Sequence, residues 1–558
     1  MSHEGGIHCP GPDELWFLPL GGASEIGLNL NLYGHDGRWL MVDLGIGFAD
    51  DSLPGIDIVV PDPAFIRERR ENLVGLVLTH AHEDHFGAVQ YLWPELGCPV
   101  YATSFTAEVL RAKLHERGLV GKVPIREVRP GERFKVGPFE IELLRLTHSI
   151  PEPNSVVVRT EAGVVLHTGD WKFDPDPLIA PTADYDALQR LGREGLLAVV
   201  GDSTNATVPG HSGSEGQVRG ALAELFGRFH NRIAVTCFAT NVARLESIAL
   251  AAAAHDRQVA LVGRSLWRIY EAARATGYLK SIPDFISEHE AGYIPRDRLV
   301  LICTGSQGEP RSALARIATE DHPVVELEAG DAVIYSSREI PGNERAIARV
   351  QNLLLKQGIE VVTASDVPVH VSGHPARDEL RQLYQWTRPQ VLVPVHGELR
   401  HQLAHAELAR SCGVAQVVIP EDGGIIQLAP GPAKVVGQVQ TGRLALDGKR
   451  LVPANGAVIK GRRRVMHQGS AVVSLALNGR GELVGAPQVS AIGLLDHHGD
   501  RDLVLDICDG VREAIGSLSR SERMDDEVIR RAASGAVRRG FGGSHGKKPV
   551  TEVHVIRI

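Results

Sequence analysis

Short apolar runs punctuated by glycine turns dominate the first part of the chain, at a spacing that suits strands better than helices. Leu15–Leu20, Trp39–Asp43, Leu73–Thr79, Val164–Leu166 and Leu197–Val200 are the predicted strands of a layered sheet. Several end in a polar residue followed by a turn, where ligands commonly gather. From about Ser212 the pattern changes. Helical periodicity over Gln217–Phe229 and Val242–His255 alternates with strand-like Ile233–Cys237, Val259–Val262 and Leu299–Cys303, which predicts a separate doubly wound α/β unit. Strand, helix and strand then return as Val391–Val395, Leu399–Ser411 (stopped at Gly413) and Gln416–Ile419.

The Pro/Gly cluster Ala429–Pro432 and the basic stretch Lys449–Arg464 read as a linker. Beyond it, Ala471–Leu477 and Glu482–Val484 flank Asn478-Gly479, a hairpin signal. A helix near Asp525–Arg539 and a β-rich end, Thr551–Ile558, complete a small α/β module.

At 558 residues the chain exceeds what one core supports. Its 43% hydrophobic and 23% charged residues are ordinary for a globular protein. No apolar run is long enough to span a bilayer, and the start, Met-Ser-His-Glu-Gly-Gly, lacks the marks of a signal peptide. The six cysteines form no CxxC pair, which favours a reducing compartment and a cytoplasmic location. A net charge of −9 argues against a generic RNA coat. It argues less against an enzyme whose positive field comes from bound cations.

The decisive chemistry lies where an apolar strand runs into His80-Ala81-His82-Glu83-Asp84-His85. His80 and His82 face one side because strand side chains alternate, and Asp84 and His85 on the next turn can serve a second cation. Imidazole and carboxylate suit borderline divalent metals such as zinc. Further candidates follow at predicted strand ends: His148, Asp170 in His167-Thr168-Gly169-Asp170, and His396 in Val395-His396-Gly397. More than two hundred residues separate Asp170 from His396, so a domain is inserted between them.

This order, Asp43, His80/His82/Asp84/His85, His148, Asp170 and a late His396, resembles the metallo-β-lactamase superfamily. The insert, with Asp202 in Gly201-Asp202-Ser203-Thr204-Asn205 and His374 in His370-Val371-Ser372-Gly373-His374, resembles the β-CASP nucleases within it. Glu25-Ile26-Gly27, Thr304–Pro310 and Ile340-Pro341-Gly342-Asn343-Glu344 are similar to strings of the ribonuclease J family. Two departures stand out. Thr240 replaces an expected serine, and Arg338-Glu339 stand where smaller neutral residues are usual.

The resemblance implies an αββα metallo-β-lactamase sandwich with an inserted α/β β-CASP domain and a small C-terminal α/β domain. The expected bounds are 1–206 and 366–440 for the sandwich, 207–365 for the insert, 441–465 for a linker and 466–558 for an oligomerisation domain. It implies two zinc ions per subunit, with manganese or magnesium as alternatives. One ion is assigned to His80, His82 and His148, the other to Asp84, His85 and His396, with Asp170 bridging. The cations would supply an activated water. Asp84 counts as catalytic through its metal, Asp43 orients the site, and His374 with Asp202 acts as general acid. Thr240, Asn241, His370, Val371, Ser372, Gly373 and His374 are the expected substrate contacts. Asp50 and Asp447 resemble a structural calcium position.

The implied partner is single-stranded RNA, degraded 5′→3′ from a 5′-monophosphate end, with internal cleavage as a second mode. A homodimer or homotetramer, an RNA-decay complex and no membrane complete the expectation. Two other readings stay open: a small-molecule metallohydrolase, which would not need the insert or His374, and a non-catalytic RNA-processing scaffold, which would not need intact ligands. A DNA-repair nuclease of the same subgroup is disfavoured by the strings quoted.

Overall fold

A computed structural model describes residues 9–496 and 499–558; the start at residues 1–8, read above as free of a signal peptide, lies outside the described residues. The chain divides into two units. One takes in the chain up to Gly47 together with Val60–Gly442, the other Phe48–Val59 with Arg443–Ile558.

In the first unit an eight-stranded sheet includes Leu15–Gly21, Leu30–His35, Arg38–Leu44 and Leu73–Val77. A seven-stranded sheet includes Phe139–Arg145, Asn154–Thr160, Gly163–His167, Ala198–Asp202 and Val391–Val395. Their inner faces share one core: Phe17, Tyr33, Val42 and Val77 from the first meet Ile141, Val156, Val200 and Val393 from the second. On the outer face of the second sheet, Leu144, Leu166, Val199 and Leu392 are covered by Leu188 and Leu191 of the helix Tyr185–Glu194, Leu380 and Leu383 of Arg377–Thr387, and Leu408 of Leu399–Ser411. Strands covered on both faces read as continuous apolar runs, which is why they were legible without alternation.

Register explains how distant residues meet. Ala198–Asp202 lies parallel to Gly163–His167 on one side and to Val391–Val395 on the other, with Asp202 opposite Val395. Parallel strands finish at the same edge, so Asp170, Asp202 and His396 emerge together despite the insert. The insert is a six-stranded parallel sheet: Ile286–Ser287, Gln258–Val262, Leu299–Cys303, Ile233–Thr236, Ala332–Tyr335 and Glu360–Val362 in spatial order. It has its own core around Leu301, Val333, Leu314 and Leu354.

In the second unit, the segment expected to be a linker is folded. Arg443–Asp447 and Arg450–Pro453 form a hairpin, followed by the helix Ala457–Gln468. The terminal module has a three-stranded sheet centred on Ser470–Leu477. Its antiparallel neighbour is Gln488–Ser490 rather than the expected Glu482–Val484, which makes only a Leu477–Leu483 bridge after the Asn478–Gly481 turn. Val550–Arg557 pairs with the centre strand in parallel. The helix Arg501–Gly516 was not anticipated; it packs with Asp526–His545 through Ile507, Val511, Ala533 and Val537.

Candidate metal centre

Three groups of potential donors converge at the strand ends: His80, His82, His148 and Asp170; Asp84, His85, His396 and Asp170; and Asp170, Asp202 and His374. In the first, His82 Nδ1 lies 3.0 Å from both His80 Nε2 and His148 Nε2. Donors sharing one tetrahedral cation at about 2.0 Å stand roughly 3.3 Å apart, so the spacing suits a small divalent ion. In the second, His85 Nε2 is 3.2 Å and His396 Nε2 3.5 Å from the Asp170 carboxylate, and each is within 3.7 Å of Asp84 Oδ2. Asp170 Oδ1 and His396 Nε2 are buried without a hydrogen-bond partner among the described residues. Burying polar atoms unpaired is costly, and a cation between them would remove that cost.

The outer nitrogens complete the fit. His80 Nδ1 lies 2.9 Å from Thr79 Oγ1, and His85 Nδ1 2.6 Å from Asp43 Oδ2. His148 Nδ1 lies 2.5 Å from the Gly373 carbonyl, His82 Nε2 3.0 Å from Thr240 Oγ1, and His396 Nδ1 3.3 Å from Asn29 Oδ1. Each ring is thus held by one nitrogen and offers the other inward, the arrangement that fixes tautomer and direction for metal ligation. Asp43 also accepts from Thr79 N at 2.8 Å and Thr79 Oγ1 at 2.9 Å, so it braces the site from behind. Two glycines permit the approach. A Cβ on Gly45 would lie 1.6 Å from the Asp84 carbonyl, and one on Gly373 would lie 2.6 Å from the His148 ring.

Burial holds His80 and His148 well below the ordinary imidazole range and His82 down at about 4, leaving them neutral and able to donate a lone pair. At His85 burial acts in the same direction, but the carboxylates of Asp170, Asp84 and Asp43 outweigh it and raise the ring. Burial would raise Asp170, yet His396, His85 and His374 hold it well below the usual carboxylate range.

His374 stands beside the first two groups, with Nδ1 2.8 Å from Asp202 Oδ2 and 3.9 Å from Asp170 Oδ2. Burial lowers it, but Asp202 and Asp170 overcome that and bring it up to about 9. Ser372 Oγ accepts from Asn205 Nδ2 at 2.8 Å and from His374 N at 3.2 Å. His370 Nδ1 is buried without a hydrogen-bond partner among the described residues, and burial with Arg244, Lys172 and Arg338 nearby takes that ring down to about 3.

The other expected contacts are placed differently. Val371 packs toward Gly213, where an added Cβ would meet its Cγ1 at 2.8 Å. The Asn241 side chain caps the helix Val242–Ala254 by accepting from Arg244 N, and donates to Glu215 Oε1 at 3.1 Å; it is spent on structure, not turned to the cleft. The proposed calcium pair is also engaged: Asp447 pairs with Arg462 at 2.7 Å and Arg450 at 3.5 Å, and the exposed Asp50 accepts from Ser52 N. A hard cation at Asp447 would have to displace guanidinium groups. Among the described residues neither carboxylate belongs to a cluster of three potential ligands.

Sequence reasoning missed Thr79, Asn29 and Asn205, which hold the functional side chains from behind. Thr79 and Asn205 lay inside strings already singled out, but nothing in residue type alone separates a brace from a bystander.

The fold and this site define a class: a metallo-β-lactamase-fold metallohydrolase carrying an inserted β-CASP domain. Residues 29–211 match the metallo-beta-lactamase superfamily and residues 230–354 the ribonuclease J beta-CASP domain. Residues 361–420 match the Zn-dependent metallo-hydrolase RNA specificity domain, and 457–558 the ribonuclease J C-terminal domain. Ribonuclease J of Sinorhizobium meliloti is 45% identical over 98% of both chains. That of Thermus thermophilus is 36% identical over 85% of this chain and 84% of its own. The chain belongs to the ribonuclease J family. A crystal structure of a protein of unknown function from Enterococcus faecalis shares the fold, with a TM-score of 0.52 at 17% identity, covering 74% of this chain and 100% of its own.

Proposed function

We propose that the chain is a metal-dependent ribonuclease that hydrolyses RNA phosphodiester bonds 5′→3′ from a 5′-monophosphate end. The observation that carries this reading is the pair of donor clusters sharing Asp170 beside the His370–His374 turn. His80, His82 and His148 would hold one zinc ion and Asp84, His85 and His396 the other, with Asp170 common to both. When bound, two such cations activate water and stabilise charge on the phosphoryl oxygens.

The chain's own residues supply the rest. Asp202 takes His374 Nδ1, which leaves Nε2 to carry a proton, and the raised ring keeps that proton at neutral pH. His374 Nε2–H is therefore the acid for the departing 3′-oxygen. Ser372 and the backbone of Gly373 lie one turn away, suited to a terminal phosphate; Thr240, bonded to His82, borders the same site. Single-stranded RNA is the substrate this reading requires.

Among the described residues no helix is long and apolar enough to cross a membrane. The wide spacing of the six cysteines, with no CxxC pair, supports a reducing, cytoplasmic setting. Val550–Arg557 is an edge strand with Ile556 and Ile558 exposed, which supports a homodimer or homotetramer formed through the terminal module.

Elemental analysis followed by incubation with labelled RNA, labelled DNA and a chromogenic β-lactam or ester tests the reading. Two equivalents of metal with RNA cleavage from the 5′ end are expected. Turnover of the small ester or lactam, with RNA untouched, would favour the small-molecule metallohydrolase instead.

A further inference from the structure

The departure Arg338-Glu339 sits next to the turn that carries Ser372 and His374. Arg338 follows the strand Ala332–Tyr335 and is exposed, with its carbonyl held by Gln307 Nε2 at 2.8 Å. Its Nη1 donates to Asn205 Oδ1 at 2.8 Å, while Asn205 Nδ2 donates to Ser372 Oγ at 2.8 Å and to the His374 carbonyl at 3.1 Å. One side-chain amide therefore separates the guanidinium from the hydroxyl of the turn.

Three cations bear on His370: Arg244, Lys172 and Arg338. Arg244 is buried against Glu215 at 2.9 Å, and Lys172 against Asp174 at 2.9 Å. Both are neutralised by their carboxylates. Arg338 makes no ion pair among the described residues, and its Asn205 partner is neutral. It is the cation of the three whose charge remains available to an anion at the turn. One nitrogen is engaged, and the rest of its planar fork of donors is free to meet phosphate.

We propose that Arg338 is a specificity-determining residue: its uncompensated guanidinium makes the His370–Gly373 turn favour a phosphorylated RNA 5′ end over an uncharged one. This rests on the 5′-end reading above. A 5′-hydroxyl RNA lacks the terminal dianion, so the charge acts on one substrate and not on the other. The interaction is partly exposed, so its effect on the preference is about tenfold at low salt and shrinks as ionic strength rises.

The test is steady-state kinetics of the full-length, metal-loaded enzyme on one unstructured RNA bearing a 5′-monophosphate or a 5′-hydroxyl. Arg338→Gln is expected to reduce the monophosphate preference, taken as the ratio of the two KM values, about tenfold. Arg338→Lys keeps the charge and is expected to retain most of the preference. If Arg338 only props Asn205, Arg338→Gln shifts both substrates alike and the ratio stays put. That result, with a wild-type preference for monophosphate, overturns this inference and leaves the 5′-end reading standing. A wild-type enzyme indifferent to the two ends overturns both.

Discussion

A methyl group on Gly373 would press into His148 at 2.6 Å, and the same residue's carbonyl orients that ring. Gly373→Ala is therefore expected to weaken metal binding about 10- to 100-fold, the usual cost of disturbing a ligand's outer partner, as read by competition with a chelator. His374→Ala should behave differently. It is expected to cut kcat by about 10²–10⁴ with metal content retained if, as proposed, the ring supplies a proton; loss of metal would instead make it a ligand with Asp170 and Asp202. A third prediction concerns His405, which is fully buried between Ser203 Oγ and the Tyr384 hydroxyl and is brought by burial down to about 4. The unfolded ring protonates near 6.5 and the folded one near 4, so between those values the unfolded state binds the extra proton. Stability is then lost as pH falls from about 6.5 to 4, by about 3 kcal/mol for this group. His405→Gln should flatten that part of the pH–stability curve measured by denaturant unfolding; an unchanged slope would refute the assignment. The ligand types were legible in the sequence because histidine and aspartate at successive strand ends are chemically conspicuous. The braces were not, since Thr79 and Asn29 acquire their roles only through what they touch.

Among the elements, a buried ion pair inside the insert lies against the segment that leads back into the sandwich. Arg244, from the helix Val242–Ala254, binds Glu215 at the start of the helix Glu215–Phe226 and donates to the Val369 carbonyl just before the His370–His374 turn. Its Nη1 also reaches the Ser336 carbonyl at 2.9 Å. Arg244→Met would leave Glu215 charged and unpaired in the interior, a change expected to cost about 3–5 kcal/mol in denaturant unfolding. Removing both charges, with Glu215→Leu added, should recover a substantial part. A double variant no better than the single one would show that the hydrogen bonds to Ser336 and Val369 matter more than the charge. Helix and strand positions were largely predictable: Leu299–Cys303, Val391–Val395 and Leu399–Ser411 fall where periodicity placed them. The chain does reverse at Asn478-Gly479 and Leu483 bridges Leu477, but Gln488–Ser490 takes the ladder, because local turn chemistry fixes the reversal and not which segment fills the sheet edge.

For the whole molecule, the terminal module has its own core around Val473, Val511, Val537 and Phe541, separate from the metal centre's elements. A version ending at Gln468 keeps the Arg443–Pro453 hairpin and the helix after it while removing that core. It is expected to sediment as a smaller species than the full chain and to keep metal binding. Equal sedimentation of the two as monomers would remove the module from self-association. Sequence alone determined which residues have the chemistry to bind two cations, that a domain interrupts them, and where most strands begin and end; residue type and hydrophobic period are local properties. Tertiary structure decided the rest. Only parallel pairing of Ala198–Asp202 with Val391–Val395 brings His396 to Asp170, only packing turns Asn241 toward Glu215, and only the neutralising of Arg244 and Lys172 leaves Arg338, of the three cations near His370, without an ion pair among the described residues. Those outcomes depend on contacts between residues far apart in the chain, and no window along the sequence contains both partners.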